Sequence, residues 1–452
     1  MPKWLAAALV CLALYVLFFA GLTRTGLLGP DEPRYASIGR EMARSGDWIT
    51  PRLWGQPWFE KPALLYWMTG LAFRLGLSED LAPRLPVALT SVAFLVFYHW
   101  ILRREFSPLA AGYATAILAT SAGWLGLSHV GTTDLPMTAC FAAAMLLSLG
   151  QPPPKKAAAL LGLAVLAKGL VPLALALPLA WHARRRLLDP RLALVFLAAA
   201  APWYLLCYWR NGWPFIQTLF IEHHFGRFTS EVLLHGRPWW FYAPVLPAAL
   251  FPWTPAALLL FRRDAFPDPR RRFLLLWMVF GFLFLSASAN KLPGYILPLL
   301  PAAAAMMGLA LAEARDTRPV LAAAAALLCA TVPLASILPQ ALAAGLSRVA
   351  FPTFHWTWLL PMLLAIPAWF LSRPAAVACL SAAVVTGVLF LKLQSFPAID
   401  AVSARPRWGR IESRRNEACI GGIHRNLRYG LNYYSVTPLP DCEDLPKAVR
   451  VE

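Results

Sequence analysis

Apolar stretches recur along almost the whole chain, at roughly 5–22, 84–102, 108–126, 135–150, 157–167, 169–183, 192–209, 240–261, 273–288, 295–312, 319–340, 356–371 and 375–391. No water-soluble core takes up so many. A helix needs about 20 residues to cross the hydrocarbon of a bilayer, and most of these stretches approach that length. Read as helices, they make an all-α polytopic membrane protein of about 13 crossings. The two short stretches near 157–183 read as a hairpin turning at Lys168-Gly169 inside a protein-lined cavity. Composition agrees, because 59% of the 452 residues are hydrophobic and 14% are charged, too few charges for a soluble surface. The first stretch has a basic start at Lys3 but no clean small-residue cleavage site, so it reads as a retained anchor.

The formal net charge of +18 raises the question of nucleic acid. A nucleic-acid surface is a continuous basic patch on a folded domain. Here the cations come as short runs between apolar stretches, at Arg103-Arg104, Lys155-Lys156, Arg184 to Arg186, 262–272 and Arg315/Arg318. The alternate short loops hold only isolated cations, Lys168, Lys291 and Arg348. Cations accumulate in cytoplasmic loops, so the N-terminus lies inside; the loops at 23–62, 127–134, 210–239 and 289–294 lie outside, with the tail from about 392. The chain thus divides into a membrane domain, 1–391, and a small domain, 392–452. Gly421-Gly422, Leu431-Asn432-Tyr433-Tyr434 and a Pro-rich end give that tail a short strand, a helix and turns, a small α/β appendage. Its core would be marginal alone, so it packs on the membrane domain.

Cys11, Cys140, Cys207, Cys329 and Cys379 lie in apolar stretches and read as packing residues. Cys419 and Cys442 fall in the tail, on the oxidising side, where they either pair or stay free thiols. No cysteine spacing suits a metal, and neither a P-loop nor a Gly-rich dinucleotide fingerprint is present, so no nucleotide cofactor is expected. Internal repeats and paired broken helices of the transporter kind are also missing.

The chemically equipped residues lie in the outside loops. The first loop is long for a connection and opens on Gly29-Pro30-Asp31-Glu32-Pro33-Arg34-Tyr35. Two carboxylates beside a guanidinium suit proton removal from a hydroxyl, or the holding of a cation or sugar. The plainer reading is a helix start, leading into an amphipathic surface helix through Met42. The loop ends Trp58-Phe59-Glu60-Lys61-Pro62. Lys61 stands at headgroup depth among Trp58, Tyr66 and Trp67, where it either meets a lipid phosphate or snorkels in an aromatic belt. Residues 63–77 read as an interfacial or re-entrant helix.

Asp134, in Thr132-Thr133-Asp134-Leu135-Pro136, is either a functional carboxylate at the outer end of a helix or its cap. Glu222-His223-His224-Phe225-Gly226-Arg227 combines a carboxylate, two imidazoles and a guanidinium. One of those histidines with Glu60 can ligate zinc, though adjacent helical histidines cannot both face one ion. Asn290-Lys291-Leu292-Pro293-Gly294-Tyr295 sets a lysine and a tyrosine at a Pro-Gly break, fit for phosphate oxygens or for interfacial anchoring. All of these clusters fall on the same side.

As a set, Asp31-Glu32-Pro33-Arg34-Tyr35, Gly46-Asp47-Trp48-Ile49-Thr50-Pro51, Phe59-Glu60-Lys61-Pro62, Lys168-Gly169, His224-Phe225-x-Arg227-Phe228 and Lys291-Leu-Pro-Gly-Tyr295 resemble two families of GT-C glycosyltransferases. These are the bacterial aminoarabinose transferases, the closer match, and the protein O-mannosyltransferases. The resemblance covers about 5–310, and the tail is shorter than the periplasmic domain of that family. It implies a GT-C transmembrane helical domain with periplasmic juxtamembrane helices, in the bacterial inner membrane, acting as a monomer. It further implies transfer of a sugar from a polyprenyl (undecaprenyl) phosphate to lipid A, another glycan or a protein at the periplasmic face. By that resemblance Asp31 and Asp134 are the catalytic acidic residues and Lys61 and Arg34 contact the donor phosphate. Glu60 and His224 are a metal pair for a divalent ion such as zinc, and Tyr35, Lys168, Arg227, Lys291 and Tyr295 line the substrate cavity.

These residue types suit such a reaction. Cations make polyprenyl phosphate a better leaving group, and a carboxylate takes or orients the acceptor proton. Attack opposite the phosphate inverts the anomeric carbon without the carboxylate nucleophile of retaining glycosidases. A transporter or flippase of lipid-linked sugars could use the same cations, but alternating access needs a midplane site. An inactive scaffold subunit is the third reading, disfavoured by the clustering.

Overall fold

Apolar sequence interrupted by 40 prolines folds into helices of very uneven length, since each internal proline removes a backbone donor and crowds the preceding turn. The computed structural model describes residues 2–150, 154–183, 189–226, 236–261, 268–345, 348–443 and 449–451. Among these, five helices are long and apolar enough to cross a membrane: Leu85–Glu105, Pro190–Asn211, Pro293–Glu313, Arg318–Ala343 and Arg373–Ala401. Trp239–Ala249 and Thr254–Phe261, bent by 110°, make a sixth if counted as one span. Other stretches from the expected thirteen are shorter helices, such as Pro108–Ala119 and Asp134–Leu147. The stretch at 157–183 breaks at Lys168-Gly169, where the chain turns through φ +88°, and again after Leu175.

The chain enters through α1 (Lys3–Leu14), which widens into a π turn at Tyr15–Phe19. After a loop comes α2 (Asp31–Ser45), with Tyr35, Ile38 and Met42 buried along one face at helical spacing. Gly46 ends it in the left-handed region at φ +73°, returning its N–H to the Met42 carbonyl at 3.0 Å. A hairpin of β1 (Arg52–Leu53) and β2 (Gln56–Pro57) follows, turning through Trp54 and Gly55 at φ +54° and +82°. Helix α3 (Leu64–Arg74) has only 11 residues, about 16 Å of rise, so it lies at the boundary rather than crossing. It crosses α2 in backbone contact: a Cβ on Gly39 would stand 2.7 Å from Thr69, and one on Gly70 2.9 Å from Trp48.

Helix α4 (Leu85–Glu105) defines the two ends of the bundle. At its start, Arg84 reaches the first loop. At its finish, Glu105 lies 3.9 Å from Arg270, while Arg271 pairs with Glu313 at 2.7 Å and Arg373 donates to the carbonyls of Leu311 and Ala312. The described basic loops therefore gather at the end away from the first loop.

The last long helix continues to Ala401, past the 391/392 boundary expected from the sequence. Its Lys392 ammonium, 4% exposed, donates to the carbonyls of Val16 and Ala20 at 2.7 and 2.9 Å, and to His129 Nε2 at 2.9 Å. That lysine closes the open carbonyl end of the first helix. Beyond Ala401 the tail holds Ala404–Ile411, β3 (Ala418–Ile420) paired in parallel with β4 (Val449–Val451), the helix Arg425–Tyr434 and a Cys419–Cys442 disulfide. It docks on the first loop and on the segment before α4. Tyr433 Oη donates to the Glu79 carbonyl and Tyr434 Oη to Asp80, both at 2.7 Å, and Arg405 donates to Asp80 at 2.6 Å and to the Thr23 carbonyl at 2.8 Å.

Candidate functional site

The adjacent carboxylates at the start of α2 have opposite surroundings. Helical geometry turns Glu32 into the bundle and leaves Asp31 facing out, with 40% of its side chain exposed. Glu32 Oε1 accepts from Arg84 Nε at 2.7 Å and from the Gly131 amide at 2.9 Å; Oε2 accepts from Arg84 Nη2 and the Leu28 amide, both at 2.8 Å. Arg84 also donates to the carbonyls of Leu22, Thr25 and Gly26. This saturated pair welds the loop carrying Asp31 to the loop leading into Asp134, and leaves Glu32 no oxygen for chemistry.

Asp31 belongs to a different group. Arg34, one turn on, donates to Asp31 Oδ1, to Glu60 Oε2 at 2.8 Å and to the Pro30 carbonyl at 3.0 Å. Among the described residues only Oδ1 of Asp31 is engaged. Burial opposes the charge on Arg34, but Glu60 and Asp31 outweigh it and raise its pKa. Lys61 Nζ stands 3.6 Å from Glu60 Oε1. Tyr35 and Tyr66 pack against each other at 5.8 Å, and burial, reinforced by Glu60, pushes both phenols well above their usual range. Three rings surround the Arg34 guanidinium: Tyr429 at 5.0 Å, Trp58 at 5.7 Å and Tyr35 at 5.9 Å. The buried indole N–H groups of Trp54 and Trp58 and the Tyr66 hydroxyl have no hydrogen-bond partner among the described residues.

A second group forms where three helices end. Asp134 opens α5 (Asp134–Leu147), and its Oδ1 accepts from Lys168 Nζ at 2.5 Å. Lys168 is the last residue of α6 (Lys155–Lys168) and lies 4.4 Å from the Tyr295 ring centroid. The two groups adjoin, because Phe59 and Ala63 pack in one apolar cluster with Leu166 of α6. Lys291 is 3% exposed and donates to the carbonyls of Ser288 and, at 3.1 Å, Arg237. Burial lowers its pKa.

Of the residues singled out in the sequence, the structure thus brings Asp31, Arg34, Tyr35, Glu60 and Lys61 into one group and Asp134, Lys168 and Tyr295 into its neighbour. Lys291 serves carbonyls beside the second group. Arg227 and the His224 side chain lie outside the described residues. The described half of the metal pair, Glu60, is held between two cations, and no group of three or more potential ligands occurs among the described residues. Arg84, Trp54 and Tyr429 were missed. Arg84 reads from sequence as a basic helix flank, and nothing local in the tail marks Tyr429.

No family model matches the chain. It is 33% identical over 337 residues to an undecaprenyl phosphate-alpha-4-amino-4-deoxy-L-arabinose arabinosyl transferase of Pseudomonas fluorescens, covering 69% of this chain and 57% of that protein. It is also 33% identical over 340 residues to the corresponding transferase of Pseudomonas aeruginosa, covering 69% and 61%. The chain therefore spans about three fifths of the length of the curated relatives it matches. Among solved structures, ArnT from Cupriavidus metallidurans bound to undecaprenyl phosphate superposes with a TM-score of 0.75 at 25% identity, over 98% of this chain and 91% of that one. The arabinosyltransferase EmbB of Mycobacterium smegmatis shares the fold at a TM-score of 0.50 and 12% identity, over 96% and 43%. Fold and site together define a membrane-embedded protein of the GT-C class. Within that class the chain belongs to the aminoarabinose transferase-like family.

Proposed function

We propose that the protein is an inverting glycosyltransferase that moves a sugar from a polyprenyl phosphate to lipid A, another glycan or a protein. The observation that carries this reading is the Asp31–Arg34–Glu60–Lys61 group, a half-exposed carboxylate beside a partly buried arginine and a buried lysine at one end of the bundle. The likeness to a structure holding undecaprenyl phosphate supports the donor class. Lys61 and Arg34 hold the phosphate, and Lys291 lines the cavity. The acceptor oxygen attacks the anomeric carbon, Asp31 takes its proton, and the carbon–oxygen bond to phosphate breaks as polyprenyl phosphate leaves. Asp134, held by Lys168 at 2.5 Å, orients the acceptor from the adjoining group.

In this reading the site end faces the periplasm, the N-terminus is cytoplasmic, the tail from about 392 is a periplasmic α/β appendage, and the monomer is the working unit. The count of about 13 crossings requires that several of the shorter apolar helices also span. Zinc at Glu60 and His224 remains a separate proposal, tested by metal analysis of the purified protein. A transporter would carry its site at the midplane rather than at one end.

Radiolabelled transfer in detergent tests the reading, since a flippase needs two compartments. Asp31→Asn keeps shape but cannot take a proton, so turnover falls by about 10²–10⁴-fold with donor binding retained. Asp134→Asn is measured beside it. Near-normal transfer by both variants sinks the mechanism.

A further inference from the structure

We propose that Tyr429, in the C-terminal tail, is a positioning residue of the site, holding the Arg34 guanidinium in the plane from which it meets the donor phosphate. The inference rests on the function proposed above. A guanidinium offers N–H groups along its edge and π contact on its faces. Among the described residues Arg34 uses its edge for Asp31, Glu60 and the Pro30 carbonyl, three of its five N–H groups, which leaves two for a ligand. Those bonds set its edge while rings cover its faces, and the Tyr429 ring centroid, at 5.0 Å, is nearer than Trp58 or Tyr35. Tyr429 is itself fixed. Its ring stacks on Trp54 at 5.9 Å with 19° between planes, and Trp54 is set by the β1–β2 turn.

One helical turn further on, Tyr433 anchors the same tail helix. Its carbonyl accepts from Arg40 Nη2 at 2.6 Å, its ring lies 4.3 Å under that guanidinium, and its hydroxyl bonds the Glu79 carbonyl. The Cys419–Cys442 disulfide and the Arg405–Asp80 pair hold the rest of the tail in place. Trp54 and Trp58, which flank this stack, have buried indole N–H groups without partners among the described residues. The tail is therefore part of the phosphate site.

The test uses the full-length chain in detergent, with undecaprenyl phosphate as the binding probe and steady-state transfer as the second readout. Tyr429→Leu is expected to weaken probe binding and raise the donor KM by roughly tenfold, the range of a desolvated cation–π contact, with kcat within about twofold. Tyr429→Phe keeps the ring and restores binding to within about twofold, which a structural role for the hydroxyl would not do. If the Leu variant melts at a lower temperature than wild type, Tyr429→Met keeps bulk without the π face and is read in the same way. Wild-type affinity in a folded Leu or Met variant overturns the inference, as does a Phe variant as weak as Leu. Wild-type protein that binds no undecaprenyl phosphate overturns the proposed function and this inference with it, whereas loss in Arg34→Ala alone leaves the function standing and removes Tyr429.

Discussion

Glu32 and Asp31 are neighbours of the same charge, and Glu32→Gln is the substitution that separates their roles. In the native protein both oxygens of Glu32 accept two bonds each, from Arg84, Leu28 and Gly131. A glutamine can keep the two bonds at Oε1, to Arg84 Nε and Gly131. Its NH₂ then faces Arg84 Nη2 and the Leu28 amide, two donors that cannot accept from it. Arg84 would also stay charged in a site where its side chain is 3% exposed. Breaking one side of a buried ion pair costs about 3–5 kcal/mol. Arg84 keeps three backbone carbonyls, so the lower end, about 3 kcal/mol, is expected. The measurement is equilibrium unfolding in detergent–denaturant mixtures, with limited proteolysis of the 23–30 and 128–133 segments as a local report. Asp31→Asn, whose partner contact is half exposed, should lose less than about 1 kcal/mol in the same experiment. A Glu32→Gln change below about 1 kcal/mol, or equal losses in the two variants, would refute the division of labour.

Two further outcomes follow. Lys61→Ala should lose at least tenfold in undecaprenyl phosphate affinity, because a charge-assisted contact is worth roughly 1.5–3 kcal/mol; unchanged affinity in folded protein removes Lys61 from the phosphate site. Cysteine labelling from either side of sealed vesicles should reach positions 31, 134 and 291 from outside and 156 and 271 from inside, and opposite accessibility of 31 and 134 would break the shared site.

Much of the first loop was legible in the sequence because its signals are local. The acidic start, the apolar spacing through Met42 and the glycine at position 46 mark α2, and a short apolar run rich in aromatics marks α3. What was not legible depends on partners far along the chain. Asp31 and Glu32 read alike until Arg84, 52 positions from Glu32, claims one of them. Tyr429 is one aromatic residue among many until the tail folds back over 395 positions onto Arg34. Bends inside apolar stretches were illegible for a related reason. Hydropathy averages over a window, whereas Pro252 and its neighbours bend the 240–261 stretch by 110° without altering its apolarity.

The bond from Lys392 to the carbonyls of Val16 and Ala20 joins the last long helix to the first. A ribosome makes Lys392 372 residues after Ala20. The loop bearing Asp31 is synthesised early, yet the clasp at its base arrives only with residue 392, and the ring over Arg34 later still. In a nascent chain the carboxylates and cations of the first loop are therefore made long before they are locked into register. The surroundings of Arg34 are complete only once residues 392 and 429 have both been made.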